Sequence, residues 1–450
     1  MIVCKFGGTS VQDADAIRRV AGIIRAKQQP LVVVSALGGA TNTLLDIAHR
    51  AAAGDLLVAL QLIEQLRDRH LQVANDLLDE SADTEDIATE VGTTFDELAH
   101  LAEALRTLGY LTPRSLDTVA AIGELLSSHI VAAALRREGL PTEFVDARRV
   151  MITNDDFTRA EPDTEDIAEC ARAHLAPIVD RGGIPVVGGF VGATSKGITT
   201  TLGRGGSDYS ASLIGAAMEA EAIEIWTDVD GMLTADPRVV RDARLIDRIR
   251  FDEAAELAAF GAKVLHPSTI APAVQRGIPV YVFNSRKPNG TGTLIAFDAP
   301  RMPVRAIAGK RDTTLVKLRS TRMLLAHGFL RRVFEVFERH RVSVDVVTTS
   351  EVSISVTLDE TAHIDAVVSD LMEFGDVAVE RHRGMIAIVG AGIADGGTAL
   401  AQATAALGSI PVYMASLSAT GINFTLVIDD AEVEPAMQRL HAAFFDQPAS

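Results

Sequence analysis

The sequence predicts an α/β protein, with a central, mostly parallel sheet sandwiched by helices and then two smaller βαββαβ units. Three observations carry this prediction. Over the first 300 residues, short Val- and Ile-rich runs alternate with helical stretches, which is how strands joined by helical crossovers read. Residues from about 41 to 138 hold no convincing strand and place Leu and Ala at helical spacing. Beyond residue 303 a helix–strand pattern occurs twice.

Strands are expected at 2–6, 31–35, 184–188, 222–227 and 278–283. The helical insertion at about 41–138 either completes the core or closes over a small substrate. Gly192 and Gly197 punctuate a hairpin over 190–201. Two prolines and no periodicity make 298–303 a linker. After it, helices at 328–340, 362–374, 396–407 and 431–444 alternate with strands at 342–348, 352–358, 377–380, 385–389, 410–415 and 422–428. Val344-Asp345 aligns with Val412-Tyr413, and Leu358-Asp359 with Ile428-Asp429, which sets the register of the repeat. The expected domains are 1–297, 304–382 and 383–450, with a strand near 305–310 able to pair in the last unit. Two such units commonly bury their open sheets against one another, and that surface also suits dimerisation.

Composition narrows the function. At 450 residues the chain has room for two or three domains with real cores. Hydrophobic residues make up 48%, yet no apolar run approaches the roughly 20 residues that span a bilayer, so no membrane is expected. Met1–Lys5 reads as the start of a strand and not as a signal peptide. Cys4 and Cys170 give neither a disulfide framework nor metal-ligand spacing; both read as buried small hydrophobes in a reducing, cytoplasmic setting. A net charge of −18 argues against nucleic acid. Any anion this chain binds must meet positive charge that is local.

Lys5-Phe6-Gly7-Gly8-Thr9-Ser10 follows a strand and precedes an amphipathic helix starting near Asp13. Glycines there let the backbone approach an anion, and Lys5 supplies a point charge for a transferring phosphate. The lysine precedes the glycines, so this is not a Walker A loop; a tight strand-to-helix turn is the competing explanation. Residues 201–208, TLGRGGSD, lead into a helix expected at 209–219, with Ser207 or Asp208 as its cap. Capping does not account for Arg204 among three glycines, where a guanidinium could hold a carboxylate bidentately. Residues 226–231, WTDVDG, end a strand, continue to Asp236-Pro237-Arg238, and could hold a ribose and base. Phe260–Pro267 adds Lys263 at a helix start. Neither Ser–His–Asp logic nor HExxH or CxxC occurs, and the eleven histidines are scattered, so no protein metal cage is expected and Mg²⁺ would arrive on nucleotide phosphates.

KFGGTS at 5–10, TTLGRGGSD at 200–208, WTD at 226–228 and FGAKVLHP at 260–267, in that order, resemble the aspartokinases. The resemblance covers essentially the whole chain. It implies an amino-acid-kinase fold followed by paired ferredoxin-like ACT units, and transfer of the ATP γ-phosphoryl group to the β-carboxylate of L-aspartate. A carboxylate is already ionised near neutral pH, which agrees with a site lacking a general base. The resemblance implies Lys5 and Asp208 as catalytic residues. Thr41, Glu124, Arg204, Gly206 and Ser207 would bind substrate. Phe6, Gly7, Gly8, Ser35, Thr227, Asp228, Leu233, Arg238, Lys263 and Val264 would bind nucleotide, with Leu233 standing where relatives often carry tyrosine.

The C-terminal repeat resembles the amino-acid-sensing units of the lysine-inhibited, monofunctional type. The implied effector residues are Met323, Gly328, Phe329, Leu330, Ser343, Val344, Asp345, Thr349, Ser350, Glu351 and Val352, with Ala326 replacing a common serine. Asp345 and Glu351 would take the effector's ammonium groups. The implied partners are L-aspartate, ATP, lysine and further copies of the chain through the ACT units. Other readings remain open from sequence. A kinase of the same fold acting on another small acid would lack the repeat and the FGAKVLHP segment. An amino-acid-sensing protein with an inert kinase domain would not need Lys5, Arg204 and Asp208. A fused second enzyme would need chain beyond the second regulatory unit.

Overall fold

In the computed structural model, residues 1–78, 82–260, 267–359, 362–395 and 397–446 are described. In chain order the strands are β1 (Ile2–Phe6), β2 (Pro30–Val34), β3 (Thr142–Val145), β4 (Ile152–Thr153), β5 (Ile184–Gly188), β6 (Val191–Thr194), β7 (Thr199–Thr201), β8 (Ala222–Thr227), β9 (Arg248–Ile249), β10 (Val280–Asn284), β11 (Thr293–Ile295), β12 (Ala306–Arg319), β13 (Val347–Thr349), β14 (Ser353–Leu358), β15 (Asp376–Val389), β16 (Met414–Leu417) and β17 (Asn423–Asp429). The helices are α1 (Ala14–Arg25), α2 (Ala40–Ala52), α3 (Leu56–Leu78), α4 (Ala82–Leu108), α5 (Pro113–Arg137), α6 (Thr164–His174), α7 (Ala176–Asp180), α8 (Gly206–Ala217), α9 (Phe251–Ala259), α10 (Ala271–Arg276), α11 (Phe329–Arg339), α12 (Ile364–Leu371), α13 (Thr398–Leu407) and α14 (Val433–Phe445). They form two compact units, Met1–Met232 with Val264–Ala299, and Leu233–Lys263 with Pro300–Ser450.

Within the first unit the main sheet runs β3-β5-β2-β1-β8-β10-β11, parallel except for β11. β1 and β2 are apolar almost throughout because helices cover both faces. The one charge buried in β8, Glu224, is matched: Lys27 donates to it at 2.6 Å and the Trp226 indole at 3.0 Å. Strand order steps outward from β1 in both directions, so a crevice opens at its carboxyl end, where Gly7 and Gly8 lie. The expected insertion is the four-helix cap α2–α5, whose apolar faces join the core of the sheet. α5 starts on Thr112, which accepts from the Ser115 N–H, with Pro113 in its first turn. It corrects one sequence expectation: its 25 residues are long and apolar enough to span a membrane, but they are mostly buried in this core. β3 and β4 also escaped the sequence reading, being short and only partly apolar.

The second unit holds a six-stranded antiparallel sheet of order β13-β14-β12-β15-β17-β16. The sequence reading has two strands at 377–380 and 385–389; they are one strand, β15, paired along its length with the equally long β12. A register shift between Lys310 and Thr313, with Asp312 at φ +56°, marks where one half of the repeat gives way to the other. The halves therefore share one sheet side by side and do not stack open faces, because β12 and β15 run through both and leave no free edge between them. α11 and α12 cover one half and α13 and α14 the other. The strand expected at 410–415 forms later, at Met414–Leu417. Residues 233–260 group here as well: the buried Glu253 of α9 accepts from the Ala391 N–H at 2.9 Å, and Asn423 donates to Glu256 at 2.9 Å. Cys4 is buried as expected, whereas Cys170 is partly exposed on α6.

His70, inside the cap, is fully buried; its Nδ1 meets the Leu66 carbonyl at 2.7 Å and its Nε2 has no partner. Burial pushes its pKa down to about 4. The native state thus refuses a proton that the unfolded chain accepts below its ordinary value of 6.5, so this stability is present above 6.5 and lost as pH falls towards 4. Replacing His70 with leucine should remove up to about 3 kcal/mol of acid-induced destabilisation between pH 7 and pH 4. Urea titrations of both proteins at the two pH values check this; equal losses would contradict it.

Candidate active site

A pocket of about 550 Å³ opens in the first unit beside the carboxyl end of β1. Lys5, Ser35, Thr41, Glu124, Arg204, Gly206, Ser207 and Asp208 all line it. Residues far apart in sequence converge here because β1, β2, α5 and α8 each present an end or a face to the same crevice.

Lys5 is the penultimate residue of β1, its backbone locked between Val33 and Ile225 of the neighbouring parallel strands. Its buried ammonium pairs with Asp208 at 2.6 Å. The structure corrects the expected start of the helix that carries Asp208. Gly205, at φ +72°, is the cap, so α8 begins at Gly206, and Ser207 and Asp208 fall in its first turn. A left-handed glycine makes the turn, which leaves both side chains free to face the pocket. A carboxylate there is also favoured by the helix dipole. Gly8 lets two loops touch: a Cβ on it would stand 3.1 Å from the Ala36 carbonyl oxygen.

Glu124 projects from α5 and is almost wholly buried. Burial pushes its pKa up to about 8, against the opposing effects of the Ala36 and Glu124 backbone N–H groups, the Thr41 hydroxyl and the Lys5 charge. Its Oε2 has no hydrogen-bond partner. Once ionised, that oxygen is an acceptor open to a donor in the pocket. Arg204 is exposed and makes no ion pair among the described residues, so its guanidinium remains available to an incoming carboxylate.

The sequence reading missed Asp117, seven residues before Glu124 and on the same face of α5. Its carboxylate accepts from the Thr201 hydroxyl at 2.6 Å, the Thr201 N–H at 3.1 Å and the Thr158 N–H at 2.9 Å. It ties the cap to the end of the β6–β7 hairpin, just before Gly203-Arg204-Gly205. Thr158, Phe190, Asn42 and Thr201 also line the pocket. The i, i+7 spacing of two acids on one helix was the available signal.

Those of the expected nucleotide residues that are described fall into three groups. Phe6, Gly7, Gly8, Thr227 and Asp228 gather at the carboxyl ends of the adjacent strands β1 and β8; the Gly7 N–H donates to the Trp226 carbonyl at 2.9 Å. Ser35 lies in the pocket itself. Leu233 and Arg238 belong to the second unit, where Arg238 forks onto Asp236 at 3.0 Å and 2.5 Å. Lys263 and Val264 lie outside the described residues.

Of the expected effector residues, Gly328 caps α11 at φ +73° with no side chain capping the helix, leaving its first turn open to an anion. Phe329 is buried, and Leu330 and Glu351 are exposed. Met323 and Val352 come together through Ser320, whose N–H donates to the Val352 carbonyl at 2.8 Å. Ser343, Val344 and Asp345 precede β13, while Thr349 ends it and Ser350 turns into β14.

Residues 1–284 match the amino acid kinase family and residues 386–444 the ACT domain. The chain is 38% identical to lysine-sensitive aspartokinase 3 of Escherichia coli, with 99% of each covered. It is 36% identical to chloroplastic aspartokinase 3 of Arabidopsis thaliana, covering 99% of this chain and 81% of that one. Its structure is similar to that of E. coli aspartokinase III in complex with aspartate and ADP, at a TM-score of 0.87 and 37% identity over 99% of this chain and 100% of that one. The same enzyme in complex with lysine and aspartate gives 0.82 at 37% identity, with 99% of each covered.

A neutral Glu124 must lose its proton to receive an ammonium group. The KM for an amino-acid substrate should therefore fall as pH rises towards about 8 and level off above it. Glu124→Gln should raise KM and flatten this dependence. Initial rates across pH 6.5 to 9 decide; an unchanged pH profile in the variant would contradict the assignment.

Proposed function

The chain belongs to the aspartokinase family, and we propose that the pocket around Lys5, Glu124 and Asp208 is where its reaction takes place. That reaction moves the γ-phosphoryl group of ATP to the β-carboxylate of L-aspartate, giving 4-phospho-L-aspartate and ADP, the first step towards lysine, threonine and methionine. The observation that carries the placement is the unpartnered Glu124 oxygen in the same pocket as the Lys5–Asp208 pair. The pocket thus offers both an acceptor for the α-ammonium group and a cation for the phosphoryl group.

The nucleophile arrives already ionised, so catalysis rests on positioning and charge neutralisation. Arg204 takes the α-carboxylate of aspartate and Glu124 its ammonium. Thr41, Gly206 and Ser207 complete the cradle, leaving the β-carboxylate directed at Lys5. Phe6, Gly7, Gly8, Ser35, Thr227 and Asp228 receive the nucleotide. Lys5 stabilises charge on the transferring phosphoryl oxygens, and Asp208 holds its ammonium in place. Mg²⁺ would come on the nucleotide phosphates and neutralise their charge, with Asp208, a hard oxygen donor in the pocket, as the candidate protein contact.

The C-terminal unit is read as an amino-acid sensor that responds to lysine. Asp345 and Glu351 supply negative charge, and the open first turn of α11 beside Gly328 supplies N–H groups for a carboxylate. Met323, Phe329, Leu330, Ser343, Val344, Thr349, Ser350 and Val352 frame the same region. Coupling of this kind amounts to roughly 1–3 kcal/mol. Exposed apolar side chains in this half, Leu325 at 91% and Met372 at 58%, support assembly of the chain with further copies through these units.

Lys5→Ala should lower kcat by about 10²–10³-fold, measured by trapping the acyl phosphate with hydroxylamine. Activity near that of the unaltered chain would remove Lys5 from the chemistry. Millimolar L-lysine should inhibit turnover and L-threonine should not. The reverse pattern would keep the reaction and overturn the effector.

A further inference from the structure

Lys310 occupies a particular place in the shared sheet. It is the last β12 residue before the register shift, and its backbone pairs with Met385 of β15. From there its ammonium reaches Asp345 at 3.5 Å and also touches Asp359 at the end of β14. Among the described residues no other cation pairs with Asp345. The Asp345 backbone is fixed, since its N–H donates to the Thr357 carbonyl at 2.9 Å and the Thr357 N–H returns to Val346 at 3.0 Å. The carboxylates of Asp345 and Asp359 are thus held near each other with a single lysine between them.

We propose that Lys310 is a built-in competitor for the effector: in the empty protein it bridges Asp359 and Asp345, and it gives up its share of Asp345 to an effector ammonium by staying wholly on Asp359. The proposal rests on the reading of Asp345 as an effector contact. Two carboxylates and one ammonium leave the cluster one positive charge short, so a second cation fits electrostatically. Asp345 is the more enclosed of the two acids, with 27% of its side chain exposed against 49% for Asp359. An arriving ammonium gains more from the enclosed site, where water screens less. Lys310 loses little by leaving, because Asp359 already holds it. The arrangement sets the concentration at which the sensor responds and favours an effector with a second ammonium group over a simple zwitterion.

The test is the L-lysine concentration giving half-inhibition of aspartate-dependent ATP turnover. Lys310→Met should lower it by about fivefold, because the competitor is gone. Asp359→Asn should raise it by a similar factor, because Lys310 is then confined to Asp345. Lys310→Arg should restore the original value to within about twofold, since an arginine keeps the competing charge at comparable strength. Basal turnover should persist in all three, which lie outside the residues placed around aspartate and nucleotide, and thermal unfolding without lysine checks their fold. Weaker inhibition in both Lys310→Met and Asp359→Asn, or no change in Lys310→Met, would overturn the proposal and make Lys310 a scaffold. Failure of lysine to inhibit the unaltered chain would overturn the effector reading, and the proposal with it.

Discussion

The buried ion pair between Lys5 and Asp208 is the interaction on which the rest of the site depends. A chain of net charge −18 has no general attraction for a nucleotide or an acidic amino acid. Positive charge has to be concentrated where the anions meet, and burying an ammonium without a partner is expensive. Asp208 solves that problem. It pairs with Lys5 at 2.6 Å inside the pocket, and it is placed by a helix first turn that follows the left-handed Gly205. Strand, glycine turn and helix are therefore one device for holding a cation at the carboxyl end of the central strand.

Around that pair the cap performs two tasks. α5 closes the core, and the same helix carries Glu124 and Asp117 into the pocket. Asp117 is satisfied by three protein donors, whereas Glu124 keeps one oxygen unpaired. The difference separates an acid whose hydrogen bonds are filled by the protein from one that keeps an oxygen open to the pocket, on one helix face. In the second unit the organising feature is the pair of fourteen-residue strands β12 and β15, which join both halves of the repeat into one sheet. A change at Lys310 lies on a strand common to both halves.

Much of this was legible in the sequence where a residue type has few other uses. Continuous apolar runs marked β1, β2, β5, β8 and β10 within a residue or two, and the glycine clusters marked the crevice. The repeat was legible from its pattern, but its sheet was not. Strand pairing is non-local, and only the fold shows that 377–380 and 385–389 are one strand. The cap of α8 was misplaced because Ser207 and Asp208 are good capping residues and a left-handed glycine leaves no side-chain signature. Glu124 could be reached only through family resemblance, since a lone glutamate on a helix is usually solvated. Asp117 was missed for the same reason, and its hydrogen-bond partners lie 41 and 84 residues away.

The most direct measurement is a comparison of two acceptors on two proteins. L-aspartate and succinate, which is aspartate without its amino group, are each supplied with ATP to the unaltered chain and to Glu124→Gln. If Glu124 receives the ammonium group, the substitution should sharply lower kcat/KM for aspartate, leave the slow use of succinate nearly unchanged, and so erase most of the discrimination between them. Equal losses with both acceptors would mean that Glu124 supports the pocket without binding the amino group, and the orientation of aspartate derived from it would be wrong.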